Sequence, residues 1–314
     1  VIGDRERGQA GGHNACPPAP DAALTATPLL LIVCSSLLHA GWNLIAKRMS
    51  AAGGAPAVWA YSLVTVAIYL PALLVIAPGE VAALVQANGT LALAVLASAL
   101  LHTAYAVLLQ RGYRSGDLSV VYPVARGAAP LLTTCGAVLL LGERPGPAAL
   151  AGALLVAAGA FWLGGGRAML SAATRRPGVG WGLLIATFIA AYTVVDAWAV
   201  AGLAVGALLL DTAGNLLRLA ILTPVALRAP ASLRLLWTRY RWHVLAIGAI
   251  SPLSYILFLL ALKHAPVHAA APARELSLLF GALLGTLVLR EGRPLERMSG
   301  AALIAAGVAL LARG

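Results

Sequence analysis

The chain has 314 residues, of which 61% are hydrophobic and only 11% charged, with a formal charge of +11. A soluble domain carries roughly a quarter charged residues, so there is too little polar surface here to cover a water-soluble globule. The Lys and Arg residues stand singly or in twos and threes between apolar runs, with no block of like charge. This argues against a nucleic-acid partner and for orientation signals at helix ends.

Residues 1–26 are polar, include Gly11-Gly12 and Cys16-Pro17-Pro18, and predict a disordered tail. Its basic residues lie far from the first apolar run, which speaks against a cleaved signal peptide. Ten apolar spans then follow: 28–46, 56–77, 89–110, 119–141, 147–165, 179–199, 206–227, 242–262, 267–289 and 295–312. Each is continuous rather than alternating, so the spans read as helices crossing a lipid bilayer and not as barrel strands. The expected fold class is an all-α polytopic membrane protein with ten transmembrane helices. Most gaps are short and hold Gly, Pro or Arg, as hairpins between antiparallel helices do. One of the two longest, at 166–178, divides the bundle into five-helix repeats at 27–166 and 179–314, joined by a linker over 167–178. Cys16, Cys34 and Cys135 have no metal or redox spacing, and neither a metal nor a cofactor is expected.

The two halves repeat. Glu143, Gly152 and Gly159 recur as Glu291, Gly300 and Gly307 at an offset of 148, which also carries Arg126 onto Arg274. Upstream the offset drifts, matching Tyr105 to Tyr255 at 150 and Asn43 to Asp196 at 153. Five spans per repeat is an odd number, so the second half enters the membrane from the opposite side. Inverted repeats of this kind mark secondary transporters, with the substrate site at the repeat interface near mid-membrane.

The pattern Tyr122-Pro123…Arg126…Pro130…Leu141-Gly142-Glu143-Arg144, followed by Gly152 and Gly159, resembles the drug/metabolite transporter superfamily in its ten-helix EamA-like form. So does the first span, with His39-Ala40-Gly41-Trp42-Asn43 and Lys47. The resemblance covers residues 28 to 313. It implies an exporter or importer of small metabolites, often amino acids or related compounds, working by alternating access. The second half departs from the pattern: Glu275 rather than glycine follows its arginine, and Arg293 replaces a proline. Four-helix small multidrug relatives use a first-span carboxylate; here that span offers only His39 and Asn43, so their mechanism does not carry over.

Orientation has two readings. The loops after spans 1, 3, 5, 7 and 9, with Arg297 at the edge of the last span, hold 14 Lys and Arg residues, against 5 in the termini and remaining loops. The positive-inside rule then puts both termini outside, whereas the resemblance implies both in the cytoplasm.

Leaving aside Glu296 and Arg297 at the edge of the last span, six full charges fall within the spans: Arg126, Arg218 and Arg274, with Asp196, Asp211 and Glu275. A charge at the centre of a bilayer helix costs about 2.5–3.5 kcal/mol on insertion scales, so these residues either pair with one another or line a path. Asp211, Asn215 and Arg218 are spaced i, i+4, i+7 and share one helix face, as do Tyr192, Asp196 and Ala199. Arg126 and Arg274 are suited to clamp a carboxylate or phosphate with their planar forks. Neighbours on a helix diverge, so Arg274 and Glu275 cannot pair, and at least one needs a partner elsewhere. Burial favours the protonated form of a carboxylate, which makes Asp196, Glu275 and Asp211 the proton-coupling candidates. The substrate-binding candidates are Arg126, Arg274, Asn43, Tyr122, Tyr105, Tyr255, His39, Asn215 and Arg218, with His102, Trp42 and Trp59 completing the inventory. Pro123, Pro130, Pro252 and Pro272 are expected to kink helices.

The small residues of spans five and ten, and Gly281-x-x-x-Gly285 in span nine, permit close packing within the bundle or between protomers of a homodimer. Glu143 and Glu291 read as capping and orientation features. No HExxH, Gly-x-Ser-x-Gly or phosphate-cradling motif is present, and Ser98 with His102 at i, i+4 is a weak hydrolase signal, so an enzyme is not expected. The expected function is a secondary transporter of a small polar metabolite, amino-acid-like compounds among them, spanning the inner (plasma) membrane. The alternatives are a multidrug exporter of lipophilic compounds and a non-transporting membrane scaffold.

Overall fold

The computed structural model describes residues 24–49, 52, 54–86, 89–115, 118–164, 176–289 and 294–313. Residues 1–23 of the predicted tail, most of the linker, and Arg290, Glu291 and Arg293 lie outside the described residues. In chain order the helices are α1 (Ala26–Arg48), α2 (Ala55–Ile76), α3 (Pro78–Gln86), α4 (Gly89–Ser115), α5 (Leu118–Leu141), α6 (Pro147–Leu163), α7 (Arg176–Ala197), α8 (Ala207–Leu227), α9 (Pro230–Arg239), α10 (Arg241–Leu262), α11 (Val267–Ala273), α12 (Leu276–Leu289) and α13 (Pro294–Leu311). A single π-helical stretch, Trp198–Gly202, extends α7.

Seven of these are long and apolar enough to cross a membrane, namely α1, α2, α4, α5, α7, α8 and α10. Helix α6 and residues 298–311 of α13 are apolar but shorter. The outer surface is correspondingly greasy: Val75, Leu139 and Leu140 are each at least three-quarters exposed. Such a contiguous apolar skin is intolerable in water and natural in lipid.

Two expectations change. The loops after the second and seventh spans contain short helices, α3 and α9. Each begins at a proline, whose fixed φ and missing N–H suit the first helical turn. The ninth span, expected as one helix over 267–289, is broken into α11 and α12 at Arg274 and Glu275. The break falls on two adjacent charged residues, two positions after Pro272, which was expected to kink the span.

Helix α6 runs antiparallel to α13, α5 packs along α7, α1 along α10 and α12, α2 along α8, and α4 along α7 and α8. The α6–α13 crossing is glycine on glycine. A Cβ at Gly152 would lie 2.7 Å from the Gly307 carbonyl oxygen, and one at Gly159 would lie 2.8 Å from that of Gly300. These four glycines are therefore spent inside the bundle. Gly281 is different: nothing lies within 4 Å of an added Cβ, so it does not mediate close helix packing.

Pro252 lies inside α10 and has no N–H to donate to the carbonyl of Gly248. Thr65 Oγ1 on α2 donates to that carbonyl at 2.9 Å, and the Tyr69 hydroxyl donates to the next one, of Ala249, at 2.5 Å. Ser35 and Ser254 exchange hydroxyl-to-carbonyl bonds across α1 and α10. Backbone groups freed in a bilayer must be re-satisfied from neighbouring helices, and here they are.

Gly159→Leu is expected to lower stability by about 1–3 kcal/mol through overpacking at the crossing, while Gly281→Ala stays within about 1 kcal/mol of the parent. Melting of the two variants in detergent checks this.

Candidate substrate cavity

The site begins with the break in the ninth span. Helix α11 starts at Val267, and its first N–H groups have no partner within the helix. Glu143, in the connection after α5, supplies one: its carboxylate accepts from Val267 N at 2.6 Å, from His268 N at 2.9 Å, and contacts His268 Nδ1 at 2.7 Å. A carboxylate at a helix N-terminus also meets the positive end of the helix dipole. Glu143 is thus a cap, as expected, but of a distant half-helix rather than of its own. Neither His268 nor this pairing has any signal in the sequence, because the two residues are 124–125 positions apart.

At the other end of α11 the chain tightens into i→i+3 bonds, from Glu275 N to Pro272 O and from Ser277 N to Arg274 O. Ser36 Oγ on α1 donates to the exposed carbonyl of Arg274 at 3.2 Å. The turn sends the two adjacent side chains different ways. Glu275 reaches α5 and forms an ion pair with Arg126 at 2.7 Å. Arg126 also donates to Ser277 Oγ at 3.2 Å. Arg274 instead lies over the rings of Tyr255 and Phe258, with its guanidinium carbon 4.8 and 4.4 Å from the ring centroids. It forms no ion pair among the described residues.

These side chains border a cavity of about 560 Å³, a volume ordinary for a small-molecule site. All nine substrate-binding candidates line it: His39 and Asn43 from α1, Tyr105 from α4, Tyr122 and Arg126 from α5, Asn215 and Arg218 from α8, Tyr255 from α10, and Arg274 at the break. Asn43 is exposed, and its amide donates to the His39 carbonyl. Asp211 lines the cavity as well. It accepts a bond of 3.1 Å from the Asn215 amide, whose oxygen in turn accepts from Arg218 at 3.3 Å. The polar stripe read from i, i+4, i+7 spacing is therefore real and faces the cavity. Arg218 has no carboxylate partner, and its Nε is buried without a hydrogen bond among the described residues.

The other two carboxylates sit behind the wall. Glu275 borders a void of only about 20 Å³ next to Arg126 and Arg274. Asp196 is fully buried and is held on one oxygen by His102 Nε2 at 2.8 Å and by the hydroxyl of Tyr255. Asn43 and Asp196, matched by the repeat, thus occupy unlike settings. Trp59 is not part of the cavity lining: its indole N–H donates to Thr223 at 2.9 Å and ties α2 to α8.

A bilayer-spanning helical bundle with a polar, charge-lined cavity at its centre is the architecture of a membrane carrier. A family model described as the EamA-like transporter family matches residues 26–165 and again residues 176–313. The chain belongs to that family, and it is a multi-pass membrane protein. Among curated proteins none matches. A solved structure described only as "Crystal structure of protein" is similar in fold, with a TM-score of 0.72 at 19% identity over 92% of this chain and 98% of that one.

Arg126→Ala leaves Glu275 buried and uncompensated, and is expected to destabilise the protein by about 3–5 kcal/mol. Replacing both by leucine should recover most of that loss, whereas Arg274→Gln, which breaks no ion pair, should leave the melting temperature near the parent's. A double-mutant melting cycle in detergent measures all three.

Proposed function

We propose that this protein is a secondary transporter that carries a small polar metabolite bearing an anionic group, by alternating access, across the cell's inner (plasma) membrane. The observation that carries this reading is the unequal use of the charges. Arg126 and Glu275 neutralise each other, and Asp196 is enclosed by His102 and Tyr255. Arg274 and Arg218 line the cavity and form no ion pair among the described residues, Asp211 being linked to Arg218 only through Asn215. A cation kept in a membrane without a counter-ion is expensive, and a carboxylate or phosphate on the substrate supplies one. Asp211, bonded only to Asn215, offers a negative group for an ammonium. An amino-acid-like zwitterion therefore suits the cavity, and a lipophilic cation does not.

Ten spans in two inverted five-helix halves account for the packing. Counting α11 and α12 as one broken span, the contact of α1 with α12 mirrors that of α7 with α5, and α1 with α10 mirrors α7 with α4. The α2–α8 and α6–α13 contacts map onto themselves. Such an exchange is what a two-fold axis in the membrane plane produces, and a broken helix at the repeat interface is the usual location for a transporter's site.

In proteoliposomes, uptake of a panel of amino acids, small carboxylates and phosphorylated metabolites is expected to find at least one substrate. Arg274→Gln and Arg218→Gln each lose about 1.5–3 kcal/mol of charged hydrogen bonding, roughly a tenfold or greater fall in kcat/KM. Transport of cationic dyes with both variants fully active would refute the reading.

A further inference from the structure

The surface charge is concentrated at one place outside the cavity. Between Asp211 and Glu275 the chain carries no carboxylate, yet Arg228, Arg234, Arg239 and Arg241 fall on the short helix α9 and its two flanks. All four are exposed, and none forms an ion pair among the described residues. Like charges held this close repel one another, so the face favours an anion from outside the chain.

Helix α9 has 10 residues, about half of what a bilayer crossing needs. It is fastened to the bundle by one stripe. Leu233, Leu236 and Tyr240, at i, i+3 and i+7, pack with Val64 of α2 and with Val244 and Ile247 of α10. The rest of the helix is turned outward, where Arg234, Leu235, Trp237, Thr238 and Arg239 are all exposed. A helix facing water has no reason to expose Leu235 and Trp237, and one facing hydrocarbon does not expose two arginines. The mixture suits the headgroup layer, where basic side chains meet phosphates and apolar ones reach the acyl boundary.

The next residues continue the same face. Arg241 opens α10, and Trp242 beside it is 70% exposed. Further along, α10 exposes Leu245 and Leu253, as a lipid-facing helix does. Tryptophan is enriched at membrane–water interfaces, so Trp242 marks the depth of this turn. The guanidinium carbon of Arg241 lies 5.5 Å from the Trp242 ring centroid, and that of Arg239 lies 6.0 Å from the Tyr240 ring. Both guanidiniums thus rest against neighbouring aromatic faces. Their planar forks are suited to take a phosphate at two points.

We infer that α9 and the first turn of α10 bind the headgroup phosphate of an anionic phospholipid, through Arg234, Arg239 and Arg241, with Trp237 and Trp242 at the acyl boundary. The occupant is a lipid and not a free phosphate, because a soluble anion leaves Leu235, Trp237 and Trp242 in water. Orientation by positive loops requires charge alone; it does not require exposed tryptophans on the same face. The inference needs only that the bundle spans a bilayer, and is independent of what the cavity carries.

The test is native mass spectrometry of the full chain, titrated in detergent with phosphatidylglycerol or with phosphatidylcholine of the same acyl chains. Phosphatidylglycerol should bind more tightly by roughly tenfold or more. A basic residue near an anionic surface contributes about fivefold. The Arg239→Gln, Arg241→Gln variant should therefore lose roughly tenfold or more of its affinity for phosphatidylglycerol and none for phosphatidylcholine. Both residues are exposed, so its melting temperature should match the parent's. An Arg111→Gln, Arg144→Gln variant removes the same charge from exposed positions away from α9 and should bind like the parent. Phosphatidylglycerol brominated on its acyl chains should quench part of the tryptophan fluorescence, and less of it in a Trp237→Phe, Trp242→Phe variant. Equal losses in the two arginine variants would reduce the effect to bulk charge and overturn the inference. Equal binding of the two lipids would overturn it as well, and would leave the basic face to a soluble acidic partner.

Discussion

The structure depends on one ion pair, Arg126 with Glu275, across the break in the ninth span. Two opposite charges deep in a bilayer cannot remain apart without each carrying a large solvation cost. Their pairing joins α5 of the first half to the turn between α11 and α12 of the second. That turn redirects the neighbouring residue. With Glu275 committed to α5, Arg274 points the other way, onto Tyr255 and Phe258 and into the cavity. Two adjacent residues thus part company: Glu275 joins the halves, and Arg274 borders the cavity.

Both ends of the short helix α11 are secured from elsewhere in the chain. Glu143 caps its N-terminus from the connection after α5, and Ser36 on α1 meets the carbonyl of Arg274 at its C-terminus. A helix of seven residues has little intrinsic stability, so its position is set by these contacts and by its packing on α5 and α6. A discontinuous element held at both ends by other helices moves with them, as the proposed alternating-access cycle requires.

Much of this was legible in the sequence, because membrane solvation is a severe constraint written in composition. Continuous apolar runs located the seven helices long and apolar enough to cross a membrane, and the 148-residue offset paired Arg126 with Arg274, which both line the cavity. The same offset aligned Gly152 with Gly300, yet in space Gly152 meets Gly307 and Gly159 meets Gly300, since antiparallel helices cross repeat-equivalent positions over one another. The i, i+4, i+7 stripe on α8 was readable for the same reason: helical periodicity is local. What could not be read was pairing over long separations. Nothing in the chain says that Arg126 takes Glu275 rather than Asp196, or that Glu143 seeks His268. The break was half legible: Pro272 and the adjacent Arg274 and Glu275 interrupt the apolar run, but a proline inside a helix reads as a kink as readily as an end. The helices α3 and α9 were marked by prolines at their starts, but such a start also reads as a turn.

The central claim is that the Arg126–Glu275 pair is structural support while Arg274 and Arg218 meet the ligand. Exchanging the pair's charges, in an Arg126→Glu, Glu275→Arg variant, tests it most directly when transport is measured in proteoliposomes beside the parent. The account predicts that the exchanged variant folds and retains transport of the same substrate, because only the sense of a neutral pair has changed. A variant that folds with parental stability but no longer transports would contradict it, and would make Arg126 part of the ligand site.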